Sequence, residues 1–185
     1  MKTRNANDTR HKLLLAAGQI VQRDGAAALT LDAVAREAGV SKGGLLYHFP
    51  SKDALISGMV KALLEDFEQQ IDVAQAAEGD VPGAWSRAYV KVSASEDEET
   101  RAISAGLIAA VATNTDLLIP LRAHMAEWQR RAENDGIDPV LGHIIRSAIE
   151  GLWLSDLLGL PLPDLAMQEQ MLLRLLAMSA EGGQG

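Results

Sequence analysis

Apolar residues recur every three or four positions along most of the chain, a spacing that places them on one face of a helix. The clearest stretch runs from Leu55 to Ile71, where Leu55, Met59, Leu63, Phe67 and Ile71 follow at four-residue steps. No segment alternates apolar and polar residues as a half-buried strand would. The pattern predicts an all-α protein of about nine helices, near residues 8–24, 30–38, 42–49, 51–77, 82–94, 96–113, 114–135, 139–158 and 164–178.

The second and third predicted helices are short and lie close together. Thr30 and Ser41 are N-cap residues, because their hydroxyls can accept a bond from a free amide of the first turn. Gly39 follows the second helix, where a left-handed residue is often needed. Pro50 ends the third helix and Ser51 caps the fourth. This order predicts a helix–turn–helix.

The third helix presents an unusual outer surface. Leu45 and Phe49 can pack inward together, because residues four apart share a helix face. Two glycines on the remaining surface cost stability, so that surface has another use, such as close approach to the major groove of DNA. Lys52 lies in the first turn of the next helix, where free amides suit a phosphate. The outward residues of the third helix are Lys42, Gly43, Gly44, Tyr47 and His48.

The stretch TLDAVAREAGVSKGGLLYHFPSKDAL, residues 30–55, resembles the DNA-binding domain of the tetracycline-repressor (TetR) family of bacterial regulators. Many members carry an aromatic residue that bonds a phosphate at the position of Leu46, which cannot form that bond and could instead touch a thymine methyl group or lie against the sugar edge. The resemblance implies a DNA-binding head, residues 1–52, and a ligand-binding and dimerisation body, residues 53–185. It assigns DNA contact to Thr30, Ser41, Lys42, Gly43, Gly44, Leu46, Tyr47, His48 and Lys52.

The charges are distributed unevenly along the chain. The net charge is −8, yet residues 1–52 hold eight Lys and Arg against four Asp and Glu. Residues 53–185 hold nine Lys and Arg against twenty-one Asp and Glu. A basic head on an acidic body fits a protein that touches DNA at one end. The alternative is a chance asymmetry.

Composition narrows the classes of protein. Of the 185 residues, 48% are hydrophobic and 23% charged, as in a globular protein. The absence of cysteine excludes disulfides and thiol chemistry, and no apolar run is long enough to span a membrane. We expect a cytoplasmic protein without cofactor or metal. The acidic run at residues 96–99 is interpreted as helix-start electrostatics, and the four histidines form no catalytic motif.

The resemblance implies a small-molecule effector bound in the body. Asp156 lies among apolar residues, where an unpaired carboxylate is costly, so it could favour a cationic ligand or pair with an arginine. The effector is expected to be cationic or hydrophobic. Each candidate could equally be ordinary core. The candidates are Trp85, Tyr89, Leu107, Val111, Met125, Trp128, Trp153 and Asp156.

The eighth predicted helix is apolar on all sides, and the ninth adds another apolar stripe. A single protomer would expose a large apolar patch, so we expect a two-fold homodimer built on these helices. The expected interface residues are Ile145, Ile149, Leu152, Leu172, Leu175 and Leu176.

Together these patterns predict a repressor that a small molecule releases from a palindromic operator in double-stranded DNA. One alternative is a regulator that no ligand controls. The other is an all-helical enzyme or scaffold that uses the head as an interaction module.

Overall fold

The computed structural model describes the backbone of residues 2–95, 97–111 and 114–181, and the side chains of residues 7–95, 97–107 and 114–180. The described residues form nine α-helices and no strands, which confirms the predicted fold class. Two 3-10 turns, Ala26–Ala28 and Thr115–Leu118, lie between helices. The helices are α1 (Lys2–Asp24), α2 (Leu31–Glu37), α3 (Lys42–His48), α4 (Lys52–Glu78), α5 (Ala84–Ala94), α6 (Glu98–Val111), α7 (Ile119–Glu133), α8 (Pro139–Leu157) and α9 (Leu165–Glu181).

Side-chain caps define the starts of α2, α3, α4 and α8, and the first three of these are caps that the sequence predicts. Thr30 Oγ1 accepts from the amide of Ala33 at 3.1 Å, and Ser41 Oγ accepts from Gly44 at 3.1 Å. The hydroxyl of Ser51 and the carboxylate of Asp138 serve α4 and α8 in the same way, at 3.0 and 2.9 Å. Each cap satisfies an amide that the helix itself leaves free.

Three predicted boundaries were wrong. The first helix was expected to begin at residue 8 or 9, and α1 begins at Lys2. Pro82 was expected in the first turn of the fifth helix, but Gly83 is at the N-cap position of α5, with φ of 78°. Asn114 caps the 3-10 turn Thr115–Leu118 instead of α7 itself. The predicted start of the sixth helix at Glu96 and its end at Thr113 lie outside the described residues.

The chain divides into two compact units. The first unit comprises Met1–Leu64 and Glu98–Arg122, with α1, α2, α3, α6 and the first half of α4. In it α1 packs on both α2 and α6, and α2 packs on α3. The buried core of this unit is Leu13, Ala16, Ala17, Ile20, Val21, Leu29, Val34, Ala35, Leu45, Phe49, Leu55, Ile56, Met59, Leu107 and Leu117.

The second unit comprises Glu65–Asp97 and Ala123–Gly185. In it α5 packs against both α8 and α9, which also contact each other. Most of the α5 surface is therefore covered, and Trp85, Ala88 and Val90 are almost completely buried. The predicted boundary at residue 52 separates a DNA-binding part from a ligand-binding part. The two compact units are defined by packing and do not test those functions, so this boundary stays a prediction.

The start of α5 depends on a distant aspartate. Gly83 has no side chain to cap the helix, and the carboxylate of Asp135, in the loop before α8, takes over that role. Its Oδ1 accepts from the amide of Trp85 at 2.9 Å, and its Oδ2 accepts from Ser86 at 2.8 Å. The amide of Gly83 also donates to the carbonyl of Asp135 at 2.7 Å. A residue about fifty positions away along the chain thus satisfies three amides at the beginning of α5.

Candidate functional sites

The turn between α2 and α3 is tight and well anchored. Gly39 has a φ of 65°, a left-handed conformation that glycine adopts without strain. The amide of Val40 donates to the carbonyl of Ala35 at 2.9 Å, which closes the end of α2. On the inner side of α3, Leu45 and Phe49 are buried in the core of the first unit. The short helix α3 is therefore held by its two ends and by its inner side.

The opposite side of α3 is open to solvent, and we call it the α3 face: Lys42, Gly43, Leu46, Tyr47 and His48. Tyr47 is 80% exposed although it is a large aromatic residue. The ring of His48 contacts it edge-on, with centroids 5.1 Å apart. Leu46 is also exposed. An exposed ring and an exposed leucine on a short helix do not stabilise the fold, so this face is a candidate contact surface.

The two glycines of α3 differ in their surroundings, although the sequence suggested one reason for both. A Cβ added to Gly43 would meet no described atom within 4 Å. A Cβ on Gly44 would lie 2.9 Å from Cγ1 of Val40 and 3.3 Å from Oγ of Ser41. Gly44 is therefore needed for the close turn, and the expectation that it points outward with Gly43 was wrong.

Lys42 is engaged by an acidic residue that the sequence reasoning missed. Its Nζ lies 2.9 Å from Oδ1 of Asp32 and 3.2 Å from Oδ2. Asp32 is in the first turn of α2, and both side chains remain mostly exposed. The ten-residue separation is no helical spacing, so only the geometry of the turn brings the two charges together.

Lys52 begins α4 and is exposed, in the helix turn where Ser51 caps the amide of Ala54. Thr30 and Ser41 are exposed N-caps of α2 and α3. The hydroxyls, the α3 face and Lys52 all lie within the stretch from residue 30 to residue 52, in one compact unit. These residues are the predicted DNA contacts, and their roles stay predictions.

Five rings form an aromatic cluster in the second unit: Phe67, Trp85, Tyr89, His124 and Trp128. Tyr89 is central, with Trp85 stacked on it at 5.1 Å between centroids and Trp128 at 5.9 Å. Phe67 contacts Trp128 edge-on at 5.3 Å, and His124 lies 5.9 Å from Trp128. The rings come from α4, α5 and α7, three helices of one unit.

Polar groups surround the aromatic cluster. Arg146 Nη1 donates to the carbonyl of Met125 at 3.2 Å and lies 3.3 Å from Oε1 of Glu150. Burial raises the pKa of the Glu150 carboxyl, and burial together with the Glu150 charge raises the pKa of Tyr89. Within the described residues, Nε1 of Trp85, Nε1 of Trp128 and Nε of Arg146 are buried without a hydrogen-bond partner. Buried donors without partners are uncommon in folded proteins.

A second carboxylate approaches the same cluster from α4. Glu68 Oε2 lies 3.0 Å from Nδ1 of His124, and Glu68 Oε1 lies 3.7 Å from Arg131. Arg131 also pairs with Asp72 at 2.7 Å, and its guanidinium lies 5.7 Å from the ring centroid of Trp85. The aromatic cluster thus has charged groups of both signs beside its rings.

The outer surfaces of α8 and α9 are apolar and exposed. On α8, Val140, Ile144 and Leu154 are roughly half exposed or more, as is Leu158 directly after the helix, and Gly151 lies between them. On α9 the exposed residues Ala166, Leu173, Ala177 and Ala180 recur at helical spacing. Leu165 and Met167 extend this surface at the start of α9. We call it the α8/α9 face.

Two family models match the chain. Residues 13–59 match the model described as bacterial regulatory proteins, tetR family. Residues 83–180 match the model described as tetracyclin repressor-like, C-terminal domain, which is more than half of the chain. The chain belongs to the TetR family. It is therefore a transcriptional regulator with an N-terminal helix–turn–helix, and this part of the prediction is confirmed.

Solved structures of similar proteins have the same TetR fold. The multidrug binding protein EbrR in complex with ethidium is 25% identical, with a TM-score of 0.67 over 90% of this chain and 98% of that chain. A TetR-family member from Streptomyces coelicolor A3 is 24% identical, with a TM-score of 0.68 over 90% and 97%.

A curated relative matches over a shorter stretch. Nucleoid occlusion factor SlmA from Marinomonas sp. (strain MWYL1) is 33% identical over 66 residues, which cover 36% of this chain and 34% of that protein. The match thus spans about a third of that relative's length.

The predicted effector residues of this TetR-family chain do not form one group. Trp85, Tyr89 and Trp128 belong to the aromatic cluster, whereas Leu107 lies in the core of the first unit beside the helix–turn–helix residues. Asp156 is exposed, so the argument from its burial was wrong. Met125 and Trp153 are half-buried in the second unit, and the side chain of Val111 lies outside the described residues.

Half of the predicted interface residues belong to the interior of the protomer. Ile145, Ile149 and Leu175 are buried in their own chain, so the expectation that they meet a partner was wrong. The remaining three, Leu152, Leu172 and Leu176, are half-buried. On α8 and α9, the exposed apolar residues are those of the α8/α9 face, on a different side of these helices from the buried residues. No helix in the described residues is long and apolar enough to cross a bilayer.

Proposed function

We propose that this TetR-family regulator is a cytoplasmic repressor that binds a palindromic operator as a homodimer and leaves it when a small molecule binds. The proposal assigns the protein no catalytic step. The main support for the DNA-binding surface is the α3 face. Tyr47 is 80% exposed there, on a helix whose inner residues Leu45 and Phe49 are buried in the core. A recognition helix needs such a face, because its outward residues must reach base edges in the major groove.

The proposed DNA contacts divide by chemistry. Lys52 and the amides of the first turn of α4 that the Ser51 hydroxyl does not cap suit a phosphate, which fixes register without reading sequence. Tyr47, His48 and Lys42 are placed to approach base edges, and the open space at Gly43 lets the helix come close. Leu46 replaces the phosphate-bonding aromatic residue of many relatives, and its exposed side chain suits a thymine methyl group.

We propose that the effector binds at the aromatic cluster of the second unit. Support comes from the three buried donors without partners at Trp85, Trp128 and Arg146, since a ligand with acceptor atoms would satisfy them. EbrR, a protein of the same fold, has been solved with ethidium and with malachite green. The rings and the carboxylates of Glu68 and Glu150 suit an aromatic effector, hydrophobic or cationic.

A homodimer through the α8/α9 face completes the proposal. The exposed leucines of this face would be covered by the same residues of a second copy in a two-fold arrangement. The small residues Gly151, Ala177 and Ala180 would let the helices approach closely. Two heads on a dimer read two half-sites, which gives a palindrome the specificity that one short helix lacks.

The test is DNA binding by fluorescence anisotropy. The probe is a duplex that the wild-type chain selects from a pool of random 30-base-pair sequences. Lys52→Ala should weaken binding to all sequences and lower the salt slope by about 1. Tyr47→Ala should weaken binding to the selected duplex more than to unrelated DNA.

Lys61→Ala is the matched control, because it removes the same charge from an exposed position of the same helix. Affinities that stay at the wild-type value in both Lys52→Ala and Tyr47→Ala would refute the proposed surface.

A further inference from the structure

The only lysine or arginine of α3 is bound within the protein instead of standing free. Lys42 places its Nζ between the two carboxylate oxygens of Asp32, at 2.9 and 3.2 Å. Lys42 starts α3 and Asp32 lies in the first turn of α2, so the ion pair spans the turn of the helix–turn–helix. It lies at the edge of the surface proposed to meet DNA.

The pair contributes little to holding the two helices together. The side chains of Lys42 and Asp32 are 61% and 71% exposed, and ion pairs this exposed are weak. The packing of α2 on α3 rests on buried residues instead, with Val34 and Leu45 fully excluded from solvent. The position of Asp32 near the start of α2 is favourable for a carboxylate, but that effect does not require Lys42.

We infer that Asp32 is a selectivity residue that keeps Lys42 from adding to the affinity for unrelated DNA. The inference rests on the proposed DNA-binding function and deepens it. A lysine that binds a phosphate releases counterions and strengthens binding to every sequence alike. To do so here, Lys42 must either leave Asp32 as a bare carboxylate beside the negatively charged backbone or bring that carboxylate close to the phosphate it binds, and the two anions repel each other in both cases.

A matching base sequence changes this balance. The ammonium group has three donors, so Lys42 can keep a hydrogen bond to Asp32 while it donates another to a neutral acceptor such as guanine O6 or N7. Unrelated DNA offers the phosphate without the base contact. Asp32 therefore lowers affinity for unrelated DNA more than for the operator, and competing sites in a genome are numerous enough for this difference to matter.

The experiment measures anisotropy with two probes, the duplex selected by the wild-type chain and a scrambled duplex of equal length, over a series of salt concentrations. Asp32→Asn removes the charge and keeps the shape. It should raise affinity for the scrambled duplex roughly two- to fivefold, as expected for loss of one exposed ion pair, and steepen its salt slope by about 1. The gain on the selected duplex should be smaller. Asp32→Glu keeps the charge and should keep wild-type selectivity.

The same substitution in a Lys42→Gln chain isolates the pair. The gain on scrambled DNA should largely disappear there, because no lysine is left to release. A gain of equal size in both backgrounds would overturn the inference, since Asp32 would then act only by general repulsion. A loss of affinity confined to the selected duplex would also overturn it, because Asp32 would then position Lys42 for the operator.

Folding and function have separate controls. If Asp32→Asn melts below the wild-type temperature, Asp32→Ser supplies a second neutral polar variant at this exposed position. A wild-type chain that selects no duplex from the random pool would contradict the proposed function itself, whereas wild-type binding with an unchanged Asp32→Asn would contradict only the role given to Asp32.

Discussion

The ring of Phe49 occupies the space that a side chain at Gly58 would need. A Cβ built on Gly58 would lie 2.6 Å from Cε1 of Phe49 and 3.5 Å from Nη2 of Arg10. The Arg10 guanidinium lies over the same ring, 5.3 Å from its centroid. Phe49 directly follows α3, so the end of α3 packs against the backbone of α4 at Gly58.

Gly58→Ala should therefore destabilise the chain and disturb α3 together. The new methyl group must push the buried Phe49 ring away, and such overpacking costs about 1–3 kcal/mol. Urea unfolding measures the loss, and anisotropy should show weaker DNA binding. Ser57→Ala, the adjacent position, is the control and should change both little. Equal stability in the two variants would show that Phe49 moves aside freely.

The glycines of α3 give opposite expectations. Gly43→Ala meets no described atom within 4 Å, so it should raise the free energy of unfolding by about 0.5–1 kcal/mol, since alanine favours the helix. It should nevertheless weaken DNA binding if the helix backbone lies close to the groove. Gly44→Ala should destabilise by about 1 kcal/mol or more, because its Cβ would press on Val40. Thermal melting and anisotropy on both variants check this, and a stabilised Gly44→Ala would contradict the packing described.

Caps and turns could be predicted from the sequence because they depend on neighbours. Thr30, Gly39 and Ser41 act within a few residues of their own positions, and their types determine what they do. Gly58 shows no such signal, because its partner Phe49 belongs to another helix and a single glycine inside a helix has many explanations. The pairing of Asp32 with Lys42 could not be predicted for the same reason, because the two residues belong to different helices.

The α8/α9 face should control the oligomeric state. Leu173→Glu together with Leu154→Glu would place charges in the proposed interface, and sedimentation should then show monomers at concentrations where the wild-type chain is dimeric. Val73→Glu is the matched control, a mostly exposed apolar residue on α4. A double variant that stays dimeric would place the interface elsewhere.

Helical spacing could not tell the two sides of α8 apart. Ile145 and Ile149 turn inward and Ile144 turns outward, yet all three fit the same apolar repeat. An apolar surface on all sides of a helix predicts that more than one side is covered. Only the packing of α5 and α9 shows which side of α8 is covered by its own chain. The sequence predicted three members of the aromatic cluster, Trp85, Tyr89 and Trp128, because large aromatic residues are distinctive. The carboxylates beside the cluster, Glu68 and Glu150, carry no such signal.

Glu78 should make stability depend on pH. Its carboxylate pairs with Lys91 and accepts from Arg87 Nε at 2.8 Å, and these bonds hold the pKa of Glu78 below its ordinary value near 4.5. The stabilisation is therefore complete above about pH 4.5 and is lost as the pH falls through the lowered pKa. Glu78→Gln should be less stable than wild type at pH 7, and the gap should narrow in acid.

Denaturant unfolding at several pH values measures this gap. Asp80→Asn, an exposed carboxylate two residues further on, is the control and should show a smaller difference. A gap for Glu78→Gln that stays constant from pH 7 to pH 3 would contradict the role given to the charge.

The cap that Asp135 provides to α5 has a consequence for how the chain acquires its structure. When α5 leaves the ribosome, the carboxylate that satisfies the amides of Trp85 and Ser86 has not yet been synthesised. The first turn of α5 can be completed only after the loop before α8 has emerged, so this contact closes a loop of about fifty residues. Fragments that end before residue 135 would leave those amides without their cap, and α5 would fray from its first turn.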